Sequence, residues 1–234
     1  MTGMGRRCVA LGGWGVMVTE HTSDSRADTR LYLIVHNTFR LMTTRFVDAS
    51  EKLEPSALEH MIGSRWSVYA ALLHEHHHNE DDSIFPALVA ARPDKKALVT
   101  RLEDDHHQLI AAMETVDVAV SAFDESPDTQ HQQTMHDAMR AVRDLFFPHL
   151  DTEDEQILPA ISESIPPKEW ERLDKAALKA IPRQYLPTAV GALDEVIREV
   201  PKDEQPPPPP LPIRAMLAVS WRNKYSLWVK PLVV

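Results

Sequence analysis

One thirteen-residue pattern occurs twice in the chain, and it constrains the fold more than any other feature. HHHNEDDSIFPAL at 76–88 and HLDTEDEQILPAI at 149–161 align at a constant offset of 73. The offset matches His76 with His149, Glu80 with Glu153, Asp81 with Asp154, Ile84 with Ile157, Pro86 with Pro159 and Ala87 with Ala160. Each copy reads H-x-x-x-E-x-x-x-x-x-P. Each follows a segment with a further histidine, His36 before the first copy and His106 or His107 before the second. Coincidence is a poor account of six matched positions. The fold must be one that a repeated pair of elements can build.

Those elements read as helices. Residues four apart lie one above another on a helix face, so His76 and Glu80 share a face, as do His149 and Glu153. Stepping by three and four through the first copy gives Ile62, Trp66, Tyr69, Leu73, His76, Glu80 and Ile84. The second gives Met135, Met139, Val142, Phe146, His149, Glu153 and Ile157. In both, the polar pair interrupts an apolar stripe. The leading segments do the same, with Leu33, His36, Phe39 and Phe46 in one and Leu102, His106, Leu109 and Met113 in the other. Scarce glycine, 7 residues, supports helix. The breaks fall at Glu54-Pro55, at Arg92-Pro93-Asp94 and at Ser126-Pro127-Asp128, and Asp28 can cap the first helix. The expectation is an all-α, up-down-up-down four-helix bundle over residues 29–165, with histidines from all four helices at one level. Pro86 is expected to kink its helix, and Pro148 to remove a backbone donor next to His149.

Buried carboxylates facing each other need compensation, from ion pairing with histidine or from a metal. The single cysteine, Cys8, rules out an internal disulfide framework and any cysteine-based zinc or iron–sulfur site. Imidazoles and carboxylates without thiolates suit Fe, Mn or Zn better than Ca or Mg. One ion cannot readily use six such groups, whereas two ions sharing a bridging carboxylate can. The net charge of −10 argues against nucleic acid as a partner.

The H…HxxxE…H…HxxxE arrangement resembles the hemerythrin-like HHE cation-binding domains over about residues 29–164. The resemblance implies an oxo- or hydroxo-bridged non-haem di-iron centre with His36, His76, Glu80, His106, His149 and Glu153 as metal ligands and Glu80 as the bridge. It implies two Fe ions, with Zn or Mn as alternatives, and O2, H2O2 or NO as the small ligand. The chain departs from the oxygen-carrying hemerythrins at Ile110, where those have a further histidine. Asp154 also fits their H-x-x-x-x-D spacing, so Glu153 and Asp154 both stand as candidates. Fewer nitrogen ligands on one iron weigh against reversible oxygen carriage and toward redox chemistry or sensing. A catalase- or peroxidase-like enzyme of oxidative or nitrosative stress defence, and a metal-storage or structural bundle acting as an adaptor, are the competing functions.

Successive helical residues differ by ~100°, so within HEHHH one histidine is expected to point fully inward. His76 continues the apolar stripe, while His77 would pair with Asp81. His106 is preferred to His107 by its flanking Leu102 and Leu109. His21, His60, His131 and His136 read as surface residues, and Tyr32 and Tyr69 as core aromatics within reach of the site. Residues 1–28 read as an unstructured or mis-assigned extension with Met17 as an alternative start, and the chain as a cytoplasmic protein. Accessory helices over 166–200, a proline-rich linker over 201–212 and a basic amphipathic tail over 213–234 complete the organisation. The tail is expected to pack on its own bundle, with a partner protein or an anionic membrane surface as alternatives.

Overall fold

The computed structural model describes residues 26–234 and, nearer the start, the strands β1 (Arg7–Leu11) and β2 (Trp14–Val18), which pair antiparallel with Cys8 opposite Met17. The remainder of the expected 1–28 extension lies outside the described residues. The bundle proper starts with α1 (Arg30–Lys52) and the short α2 (Pro55–Leu58), followed by α3 (Ile62–Asn79) and α4 (Phe85–Ala91). Its second half is α5 (Lys96–Glu125), α6 (Thr129–Thr152) and α7 (Leu158–Ser164). Helices α1 and α5 each pack against both α3 and α6, which closes the four-membered ring that the stripes require. Asp128 caps α6, accepting from the His131 N–H, while at α1 the N-cap is Thr29 and Asp28, one residue earlier, accepts from the Arg30 N–H.

The repeated proline has a repeated backbone consequence. A π-helical turn, Glu80–Ile84, joins α3 to α4, and another, Glu153–Ile157, joins α6 to α7. In each, the closing N–H reaches five residues back, Phe85 to Glu80 and Leu158 to Glu153. Pro86 and Pro159 lack the N–H for a regular α-helical bond and crowd the carbonyl four residues earlier. Widening the helix by one residue relieves that conflict, and such insertions are frequent at functional sites. Pro148 behaves differently, since α6 continues through it to Thr152.

The core has two large clusters and a small one of Ile34, Val196 and Val200. One large cluster holds Phe46, Trp66, Phe123, Met139 and Phe146, and the other holds Leu33, Phe85, Leu102, Ile157 and Trp170. Every motif histidine–glutamate pair falls between them. Leu73 and Ile84 bracket the first pair, and Phe146 and Ile157 bracket the second. Each fully buried large apolar side chain contributes ~1.5–3 kcal/mol, so the polar layer is carried by apolar packing above and below it.

Two more helices, α8 (Pro167–Ala180) and α9 (Leu186–Glu199), lie against the bundle, α8 on α3 and α9 on α1. The stretch after Val200 is anchored rather than loose, with the amide of Gln205 donating to the Ile197 and Val200 carbonyls and Arg30 Nη1 donating to Gln205 O. Helices α10 (Leu211–Met216) and α11 (Arg222–Val229), joined by a π turn at Leu217–Trp221, bring the tail back onto the bundle. Tyr225, Val229 and Leu232 enter the same cluster as Phe46 and Trp66. Helices α9 and α11 meet at Gly191, where an added Cβ would sit 2.4 Å from Tyr225 Cβ. Gly191→Ala gains ~1 kcal/mol in helix propensity but forces the helices apart, at a cost of ~1–3 kcal/mol. A lower melting temperature is therefore expected, and a scan followed by circular dichroism checks the sign. No helix among the described residues is long and apolar enough to cross a membrane.

Candidate metal centre

Two groups of four side chains converge between the apolar clusters. The first is His36, His76, Glu80 and Glu153, and the second is His77, Glu80, His106 and His149, with the donor atoms of each group within 4.8 Å of one another. Glu80 belongs to both. All six residues expected from the sequence are thus brought together, and His77 joins them.

The distances suit metal coordination. Glu80 Oε1 is 3.2 Å from His76 Nε2 and 3.9 Å from His36 Nε2, while Oε2 is 3.5 Å from His106 Nε2. Glu153 Oε2 lies 3.5 Å from His36 Nε2 and 3.4 Å from His149 Nε2, and the His106 and His149 Nε2 atoms are 3.1 Å apart. Ligands about 2.1 Å from a common cation are separated by ~3.0–3.4 Å along octahedral or tetrahedral edges. Several of these atoms, His36 Nε2, His76 Nε2, both nitrogens of His77, Glu80 Oε2 and Glu153 Oε1, are buried with no hydrogen-bond partner. An unsatisfied buried polar atom costs ~1–3 kcal/mol. A cluster of them facing inward is what a cation-binding donor set requires.

The expectation that one histidine of HEHHH points inward is overturned. The His77 ring is buried and stacks on His106 at 4.2 Å between centroids, while His76 packs against His36 on the opposite side. The 100° step from one to the next straddles the bundle axis, so each faces a different group of donors. A single target at the centre of the helix face was the wrong picture, because the centre has two lobes. His107 is exposed and takes no part. His136, expected at the surface, is buried with Nδ1 3.1 Å from Ser50 Oγ.

The aspartate following each motif glutamate has a distinct job. Asp154 Oδ1 is 2.6 Å from His36 Nδ1, and Asp81 Oδ1 is 2.8 Å from His106 Nδ1. Each aspartate orients the leading histidine of the other half. Asp154 is itself held by Arg40 Nη2 at 2.8 Å. A carboxylate behind an imidazole holds the proton on Nδ1 and aims Nε2 at the position a cation would take. Asp154 therefore stands behind His36, and Glu153 faces the cluster. Tyr32 donates its phenolic hydrogen to Glu80 Oε1. Tyr69 does not reach the site and is hydrogen-bonded to Thr43 Oγ1 at 2.6 Å.

The electrostatics reflect this division. Burial pushes the His76 imidazole down to about 4 and the His77 imidazole well below its ordinary value, so both are neutral and able to donate a lone pair. Burial also opposes charging of His36, but the Asp154 carboxylate outweighs it and raises that ring to about 10, so a cation at Nε2 would have to displace a proton there. Burial opposes ionisation of Glu80 as well, yet the facing imidazoles of His36 and His106 help hold it well below the usual carboxylate range. Asp154→Asn and Asp81→Asn keep the shape and remove the orienting charge. Each is expected to weaken metal binding ~10–100-fold, read by competition against a calibrated chelator.

Comparison with known proteins gives one positive result. No curated protein and no solved structure matches the chain. The model of the hemerythrin HHE cation binding domain matches residues 30–161, from the start of α1 into α7. That match spans more than half of the chain and contains every donor of both groups, so the chain belongs to the hemerythrin HHE cation-binding family.

Proposed function

We propose that the two donor groups hold a pair of iron ions bridged by Glu80, and that this centre binds or reacts with O2, peroxide or nitric oxide. The observation that carries the reading is the sharing of one buried carboxylate between two clusters of imidazoles and carboxylates, several of whose inward atoms have no hydrogen-bond partner. Five histidines and two glutamates without sulfur suit iron, with Zn or Mn next in order. Bound iron supplies exchangeable electrons and an open coordination position.

The surrounding side chains set the conditions for that chemistry. Tyr32 keeps a proton on its phenol, because burial and the neighbouring Glu80 raise it well above the ordinary tyrosine value. It can hold that proton beside the shared carboxylate. Asp81 and Asp154 fix the rings of His106 and His36. A pocket of mixed lining, with Arg101, Asp105 and Gln108 beside Leu109, Leu145 and Pro148, reaches His149 and gives small molecules an approach from the α5–α6 side.

The test is metal analysis of protein from iron-replete culture, then anaerobic reduction and exposure to each ligand in turn. About two irons per chain and a near-ultraviolet band that changes with O2, peroxide or nitric oxide are expected. A stable reversible adduct marks a carrier or sensor, and gas evolution from peroxide marks a catalase-like enzyme. Protein that stays free of iron overturns the reading.

A further inference from the structure

A second cavity touches the centre from the opposite side, and the family match does not account for it. It has a volume of about 160 Å³ and lies between α1 and α3 on one side and α8, α9 and Trp228 on the other. The far wall therefore comes from residues beyond 161, where the family match ends. Its inner end is formed by Tyr32 and His76.

The wall is apolar in composition and in effect. Val35, Phe39, Met42, Leu72, Leu193 and Trp228 supply most of it. The hydroxyls on the bundle side are spent elsewhere: Thr38 donates to the Ile34 carbonyl, Tyr69 bonds Thr43, and Tyr32 donates to Glu80. A mostly apolar space of ~150 Å³ is large enough for a benzene-sized molecule. The strongly polar groups are Glu75, Asn79 and Asp174, of which two are acids and none is a cation. Burial pushes the Asp174 carboxyl up, which marks a low-dielectric setting at that wall. An anion would meet two carboxylates and no lysine or arginine in the lining, whereas a hydroxyl could donate to them.

We propose that this cavity is a binding site for a small, uncharged, ring-sized apolar molecule carrying at most one hydrogen-bond-donating group, seated with one end against Tyr32 and His76. The occupant is defined by volume, by the spent hydroxyls and by the acidic wall. The binding does not depend on the metal reading. Where that reading holds, the occupant lies directly behind a ligand of the centre.

The test uses the full chain, metal-free and metal-loaded, titrated calorimetrically with toluene, p-cresol and benzoate. Saturable binding of toluene and p-cresol is expected in both forms, with benzoate at least ~10-fold weaker, the penalty for one desolvated unpaired charge. Ala177→Trp and Leu193→Trp fill the space from different helices. Each is expected to weaken p-cresol binding at least ~10-fold, about 1.4 kcal/mol, while leaving metal content unchanged. Absence of saturable toluene and p-cresol binding to the unmodified chain overturns the proposal, as does unaltered p-cresol binding in a folded filled variant. Benzoate binding as tight as p-cresol overturns the selection against anions. Metal loss with probe binding retained counts against the iron reading alone.

Discussion

Glu80→Ala is expected to abolish loading of both metal positions at once. The carboxylate contributes to both donor groups, so its removal leaves each with three side chains and takes away the one carboxylate they share. His77→Ala is the informative contrast. It removes a donor from one group and leaves His36, His76, Glu80 and Glu153 intact, so about one ion per chain is expected to remain. Thermal melts add a second readout. A ligand present at a thousand times its dissociation constant stabilises the folded state by ~4 kcal/mol. The unmodified protein should therefore lose several degrees on chelation, while Glu80→Ala should be indifferent to chelator. The substitution also strands the Tyr32 phenol, which costs ~1–3 kcal/mol in the metal-free protein. Retention of two ions by Glu80→Ala would refute the bridging role.

Deleting residues 211–234 is expected to lower the melting temperature by about 10 °C or more. Leu217, Tyr225, Val229 and Leu232 are buried, and the last three belong to the main core. At ~1.5–3 kcal/mol each, discounted for a compact unfolded state, their loss amounts to at least ~4 kcal/mol. For a chain of this size each kcal/mol corresponds to ~2–4 °C. Polar clamps add to this: Arg45 pairs with Glu195 at 2.8 Å and reaches the Tyr225 hydroxyl at 3.0 Å, and Arg65 Nε donates to the Trp228 carbonyl at 2.7 Å. A change of only a degree or two would show the tail to be dispensable to the fold.

The same clamp has a pH signature. Burial opposes ionisation of Glu195, but hydrogen bonds from Arg45 and Tyr225 prevail and hold its carboxyl below the ordinary glutamate value. A depressed folded value means that the contribution is complete above the unfolded value and fades as pH falls through the folded one. The melting difference between the full and shortened chains should therefore shrink on acidification, and melts at pH 7 and pH 3 would measure it.

The four stripes and the level at which they meet were legible because burial at helical spacing leaves a mark in sequence. His36, His76, His106 and His149 each interrupt an otherwise apolar face, and each lies where that interruption points. His77 carried no such mark. Its spacing places it beside the stripe, and its burial follows from a centre with two lobes, which depends on how α3 sits between α1 and α5. Asp81 and Asp154 were visible as part of the duplication. Their crossing to the opposite half was not, since it is a relation between helices distant in sequence. The π turns illustrate a halfway case: Pro86 foretold a disturbance in the first copy, and only the backbone shows that in both copies it takes the form of an inserted residue. Packing of the basic tail on the bundle was the expectation from its amphipathic character, and Tyr225 reaching Gly191 gives it a steric reason.

The crossed aspartates make neither half of the chain self-sufficient. A lone copy of the repeat would own a leading histidine with nothing behind it and an acid with nothing to steady. It would acquire a finished coordination sphere only on meeting its twin, at a rate and yield set by dilution. Tandem fusion turns that encounter into an internal one at high effective concentration, so assembly becomes independent of how much protein the cell makes.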